Sequence, residues 1–294
     1  MKRLLIVAIV LAALGWWLTG PNGLPASVVP EHVPDLVNGE RLFHAGGCAS
    51  CHGRVEDGKP RRDVMAGGLV MRSPVGAFHV PNISSDTVHG IGAWSELDFL
   101  NAMQRGLAPD GSHYYPAFPY TSYARMNVPD LLDLKAYLDQ LPASPNTVPE
   151  HELDFPFGLR RGLGLWKRLF LDESPVVIVP ADDELLRRGR YLVEGAGHCG
   201  ECHTPRNAAQ AMDPDRWLIG GANPEGEGRV PGLTPARESF ADWTAEDIAY
   251  YLEAGVDPDF DVVGGTMAAV QDNMSRLPAE DREAIAAYLK ALQP

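Results

Sequence analysis

The sequence predicts a mostly α-helical protein in which one small domain occurs twice, and three observations carry that prediction. The pentapeptide Cys48-Ala49-Ser50-Cys51-His52 returns 151 residues later as Cys199-Gly200-Glu201-Cys202-His203, and the two copies use every cysteine of the chain. The residues around the two sites match at an offset of 149 to 151, a register that chance matches would not keep. Apolar residues recur at helical spacing in both copies, and no alternating strand pattern recurs.

Residues 1–24 read as a leader. Lys2-Arg3 precedes an unbroken apolar run, Leu4 to Leu18, that includes Trp16 and Trp17. A positive start with an apolar core describes a signal peptide or an N-terminal anchor. No small-x-small cleavage site follows closely, and paired tryptophans suit a membrane interface. An uncleaved transmembrane helix is therefore preferred, although the run covers only about 22 Å of a roughly 30 Å hydrocarbon core. With its basic end inside, the body lies on the periplasmic face of the bacterial inner membrane; cleavage would leave it soluble in the periplasm.

The first copy spans residues 25–143 and the second 181–294. Gly39-Glu40-Arg41-Leu42 matches Gly189-Arg190-Tyr191-Leu192 on the helix that leads into each cysteine motif. Val80-Pro81-Asn82-Ile83-Ser84 matches Val230-Pro231-Gly232-Leu233-Thr234. A second helix begins after Trp94 or Trp243, where Ser95 or Thr244 caps and Asp98 or Asp247 completes a capping pair. The last helix carries Leu131, Leu134, Leu138 and Leu141 in one copy and Ile285, Leu289 and Leu292 in the other. Asn127 with Asp130 starts the former, and Pro278 the latter.

A Pro-rich strap, residues 144–180, joins the copies. Its stretch from Gly158 to Leu171 is basic and amphipathic in a chain of formal charge −14. It reads either as a contact for a partner or membrane surface or as a strap packed between the two domains, and its three glycines favour the strap. The acidic balance argues against nucleic acid and against electrostatic docking to anionic lipid. It suits a partner with basic patches, and equally serves solubility alone.

The chemistry lies in the pentapeptides. Two cysteines three positions apart on a helix face the same side, where their thiols can form thioethers with the two vinyl groups of one haem. The histidine that follows can bind the iron, and C-x-x-C-H is the signature of such attachment. A shared zinc would normally bring its cysteine pairs close in sequence, and a dithiol redox pair would need a preceding strand. Two covalently bound haem c groups are expected, held by Cys48, Cys51 and His52 and by Cys199, Cys202 and His203. This attachment takes place outside the cytoplasm, in agreement with the leader.

The sixth iron ligand decides what each haem does. Met126 closes the loop before the last helix of copy one and is chosen over Met65, Met71 and Met103. In copy two Met267, which follows Gly264-Gly265-Thr266, is preferred to Met274. Asn82, Trp94 and Trp243 are candidate donors to haem propionates, the tryptophans being equally plausible as core. The haem histidines should each donate their second ring nitrogen to a backbone carbonyl. His79 and His113 read as surface residues of polar loops.

The chain resembles the cytochrome c subunits of membrane-bound bacterial alcohol, gluconate and sorbitol dehydrogenases. The resemblance rests on Gly46-Gly47-Cys48-Ala49-Ser50-Cys51-His52, Val80 to Ser84, Gly90 to Ser95, Tyr115 to Met126 and Cys199 to Asn207. It implies two tandem class I cytochrome c domains, against three in the best-known members. The implied role is an electron-transfer subunit with no bond-making chemistry of its own. A periplasmic dehydrogenase would donate, and quinone, another cytochrome or an oxidase would accept. The rival is a di-haem redox enzyme, a peroxidase or thiosulfate-oxidising type, with one open or labile iron.

Overall fold

In each half of the chain two helices cross so closely that only glycine fits between them. The computed structural model describes residues 1–57, 59–223, 228–236 and 238–292. Helix α1 (Lys2–Leu18) comes first. The first half then carries α2 (Leu36–Ala45), α3 (Cys48–His52), α4 (Glu96–Arg105), α5 (Tyr120–Tyr123) and α6 (Val128–Gln140). After α7 (Leu163–Phe170), the second half carries α8 (Glu184–Tyr191), α9 (Gly200–His203), α10 (Glu238–Ala241), α11 (Ala245–Ala254), α12 (Met267–Met274) and α13 (Ala279–Ala291). Helices α2 and α6 cross at Gly39, where an added Cβ would lie 2.3 Å from the Asp133 carbonyl oxygen; α8 and α13 cross at Gly189, 1.9 Å from that of Ala284. No other residue permits that approach.

Local chemistry fixes the ends of these helices. Asp35 accepts from the amides of Val37 and Asn38 at 2.9 and 3.1 Å and caps α2, and Asp183 caps α8 in the same manner. Both expected capping boxes are present: Ser95 with Asp98 on α4 and Thr244 with Asp247 on α11. Each of these helices stops at a left-handed glycine, Gly106 (φ +57°) or Gly255 (φ +71°). Leu42, Phe43, Leu131, Leu134 and Leu138 fill one part of the core and Leu192, Ile285, Tyr288 and Leu289 another.

Small antiparallel sheets, unexpected from the sequence, position the site. β1 (Val55–Glu56) pairs with β2 (Lys59–Pro60); β3 (Val70–Ser73) pairs with β4 (Gly76–His79), and β5 (Glu152–Leu153) extends that pair; β6 (Gly221–Ala222) pairs with β7 (Arg229–Val230). The β3–β4 and β6–β7 hairpins turn the chain back so that Pro231 follows directly on its returning strand and Pro81 comes one residue, Val80, after its own.

Three expectations are corrected. No helix among the described residues is long and apolar enough to cross a membrane; α1 has 17 residues and is not the transmembrane helix expected. His113, expected on the surface, is 4% exposed, with Nε2 3.0 Å from the Thr19 carbonyl oxygen. His79 is likewise largely covered, its side chain 11% exposed. Helix α7 packs on the ends of α1 and α4: Arg168 donates to the Leu18 carbonyl at 2.8 Å and Lys167 to those of Arg105 and Gly106 at 2.7 and 2.9 Å. Its contact with the second half includes Trp166, whose Nε1 donates to the Ala209 carbonyl at 2.8 Å.

Candidate haem-attachment sites

The two pentapeptides fold alike although their approaches differ. Before the first, α2 ends and Gly47 breaks the helix at φ +58°. Before the second, a π-turn (Leu192–Ala196) intervenes and His198 takes the left-handed value of +40°. In both, the short helix places the cysteines on its partly exposed side, and none of the four is in a disulfide. Burial pushes the Cys48 and Cys199 thiols up to about 12, so they stay protonated at neutral pH. Among the described residues no group of three or more His, Cys, Asp or Glu side chains is arranged to hold a metal ion. A zinc shared between the two cysteine pairs is therefore not supported by the structure.

The histidines receive the partner that sequence could not name. His52 Nδ1 lies 2.8 Å from the Pro81 carbonyl oxygen and His203 Nδ1 2.8 Å from that of Pro231. Burial lowers both imidazole pKa values, with the carbonyl acting in the opposite sense. A neutral ring that donates from Nδ1 keeps its lone pair on Nε2, the form an iron ligand needs. The loops behind the rings also match. Gly67 donates to the His52 carbonyl at 2.8 Å and Gly220 to that of His203 at 2.7 Å. Both glycines are left-handed, φ +67° and +78°, and a Cβ on either would meet the Val-Pro backbone within 2.6 Å. These residues fit haem c: paired unoxidised thiols, a following imidazole of fixed tautomer, and the same cradle twice.

The remaining candidates are placed as follows. Met126 is 3% exposed; Gln104 Nε2 donates to its carbonyl at 2.7 Å, and an added Cβ on Gly195 of the second half would lie 3.4 Å from its Cγ. Met267 opens α12 and is partly buried, whereas Met274 closes it at 3% exposure. Met126 and Met267 do not occupy matched positions. Met126 immediately precedes the cap of α6, and the residue in that place before α13 is Leu277. Both amide hydrogens of Asn82 are engaged, donating to the Ser144 and Asn146 carbonyls at 2.8 and 3.0 Å. Asn82 thus ties down the chain after α6, in place of the propionate-donor role expected of it. Trp94 packs partly buried against the core, and Trp243 lies between Phe240 and Tyr251, with ring centroids 5.6 and 5.3 Å away.

Sequence reasoning missed the contacts that join the two sites. Ser50, between the first pair of cysteines, accepts from Asn273 Nδ2 on α12 at 2.7 Å. Glu201, between the second pair, accepts from Thr121 and Ser122 on α5 at 2.5 and 2.9 Å, and from Arg206 at 2.7 Å. Each motif is therefore bonded to the helix that precedes the last helix of the other half. His198 adds a third link, with Nε2 3.2 Å from the Gly46 carbonyl oxygen. The polar residues inside the two motifs were the available signal, but their partners are 79 to 223 residues distant.

Comparison with known proteins agrees with this geometry. Residues 36–142 match the cytochrome c family model. A dihaem cytochrome c-type protein of Cereibacter sphaeroides is 49% identical over 289 residues, covering 97% of this chain and 95% of that protein. The fructose dehydrogenase cytochrome subunit of Gluconobacter japonicus is 34% identical over 91% of this chain, and the gluconate 2-dehydrogenase cytochrome c subunit of Pantoea cypripedii 33% over 98%. The chain spans only 54% and 64% of those two relatives. With 97% of this chain and 95% of the first relative covered, the chain belongs to the cytochrome c family.

Proposed function

We propose that this protein is a two-haem electron carrier that takes electrons from a periplasmic dehydrogenase and passes them to quinone, another cytochrome or an oxidase. The observation that carries the reading is the duplicated His–Pro cradle, with 2.8 Å from Nδ1 to a carbonyl in both copies. Bound haem would supply one-electron chemistry at iron, reduced by the donor and reoxidised by the acceptor. His52 and His203 are the proximal ligands in this reading, Cys48, Cys51, Cys199 and Cys202 the covalent attachments, and Met126 and Met267 the distal ligands. Two copies of one domain, residues 25–143 and 181–294, hold the two haems. The dehydrogenase donor is supported by the names of the fructose and gluconate dehydrogenase subunits among the relatives. The leader holds the body at the periplasmic face of the inner membrane.

Ligation supplies the test. Ferric holoprotein should show the methionine sulfur-to-iron absorbance band at both haems. Met126→Ala should remove it from one and Met267→Ala from the other, while Met274→Ala leaves both. Leu277 stands where a methionine matched to Met126 would be, so the second site is the one at which the enzymatic rival gains ground. A wild-type protein lacking the band at the second haem, and binding carbon monoxide there, would replace the carrier reading with a redox enzyme.

A further inference from the structure

Helix α7 is fastened to the last turn of α1. Arg161 Nη2 donates to the Trp16 carbonyl at 2.8 Å, and its guanidinium carbon lies 3.4 Å from the Trp16 ring centroid. Arg168 Nε donates to the Leu18 carbonyl at 2.8 Å, with its guanidinium 5.2 Å from the Trp17 ring centroid. Gly164 passes so close that an added Cβ would lie 2.3 Å from the Thr19 carbonyl oxygen. The cations fill the open carbonyl end of α1, where helix polarity favours positive charge. Helix α7 therefore goes where the end of α1 goes.

The outward side of this joint is apolar and basic. Leu165, Arg168 and Leu169 are spaced three and four apart and share one face of α7. Leu165 and Leu169 are 43% and 66% exposed, and Trp17 beside Arg168 is 65% exposed. Residues 158–171 hold four cations and no acid, in a chain of net charge −14. Apolar side chains of α1 are exposed along its length as well. A helix of 17 residues is about 26 Å long, short of the roughly 30 Å hydrocarbon core. Held in the lipid by that apolar surface without crossing it, α1 keeps its last turn, and α7 with it, at headgroup depth.

We propose that the face of α7 formed by Leu165, Arg168 and Leu169, continued by Trp17, is a membrane-contact surface whose partner is the lipid bilayer. The leucines enter the acyl boundary, Arg168 meets lipid phosphate, and Trp17 takes the interfacial position that suits its ring. The consequence is orientation. Because Lys167 on the same helix is bonded to the end of α4, the haem-bearing body is held at a fixed attitude to the membrane instead of swinging on a tether. This surface rests on the reading of α1 as a membrane anchor, and the experiment separates the two.

Full-length holoprotein would be reconstituted into vesicles of phosphatidylethanolamine and phosphatidylglycerol, and amide hydrogen exchange compared with and without lipid. The amides of both α1 and α7 should slow on vesicle binding, by about tenfold or more. The double variant Leu165→Glu/Leu169→Glu, with haem absorbance confirming its fold, should keep the protection in α1 and lose it in α7. Protection of α1 with α7 unchanged in wild type would overturn the surface and leave the anchor standing. Lack of protection in either helix would overturn both.

Discussion

Glu201 is 8% exposed, and its carboxylate lies inside the second haem motif while its donors Thr121 and Ser122 come from the first half of the chain. A buried negative charge beside an iron centre stabilises the ferric form. Glu201→Gln keeps the shape and one acceptor oxygen but removes the charge. The expected result is a higher midpoint potential for the haem on Cys199 and Cys202, read by spectroelectrochemical titration, with a loss of about 1–3 kcal/mol of stability from imperfectly paired donors. A residue that only held the interface would lower stability and leave the potential where it was. At this scale the sequence was legible where the chemistry is local. The C-x-x-C-H pattern, and Ser95 with Asp98, are complete within five residues. The partner of His52 was not legible, because Pro81 is 29 residues away and reaches the ring only through the β3–β4 hairpin. Asn82 looked like a donor to a ligand because its role depends on Ser144, 62 residues on.

Among the elements, α7 departs furthest from the sequence-level picture. Its amphipathic pattern suggested an apolar face buried between domains, but the buried positions are Gly164 and Lys167. Lys167 is turned inward to close the carbonyl end of α4, an arrangement that no periodicity encodes. Burial, aided by the Arg105 guanidinium, lowers its pKa to about 7. In the unfolded chain a lysine titrates near 10.4. Between about pH 7 and 10.4 the unfolded state therefore binds one more proton than the native state, and stability rises with pH across that window. Below pH 7 the ammonium is charged in both states and this slope disappears. Lys167→Met should remove the slope while costing about 1–3 kcal/mol for carbonyls left without a donor. Urea unfolding of holoprotein at pH 7 and pH 9, wild type against variant, measures both effects. The slope difference between the two proteins isolates this residue from tyrosines that titrate in the same range.

Across the whole molecule the two halves are locked by contacts that themselves repeat. Arg41 and Tyr191 stand at matched places on α2 and α8, and Asp130 and Asp281 at matched places in the first turn of α6 and α13. Arg41 Nε donates to Asp281 at 2.7 Å, and in the mirrored contact the Tyr191 hydroxyl donates to Asp130. Asp281 is fully buried and also accepts two bonds from Arg188, at 2.7 and 2.9 Å. The carboxylate thus joins α2 of one half to α8 and α13 of the other. Removing a buried partner from such a cluster strands the opposing charges, at a cost of about 3–5 kcal/mol. Asp281→Ala should lower stability by that order and also change the form of the unfolding curve. While the lock holds, the halves unfold together, and absorbance and circular dichroism at the two haems follow one transition. Once it is broken, the second half has lost an internal bond network as well as its neighbour, and the haem on Cys199 and Cys202, which stays covalently attached, should lose its native ligation first. Two separated transitions in the variant against one in wild type would establish the halves as folding units coupled through Asp281. A single transition merely shifted to lower denaturant would mean that the apolar contacts around Leu192 and Met126, together with the Ser50 and Glu201 bonds, suffice to keep the halves together.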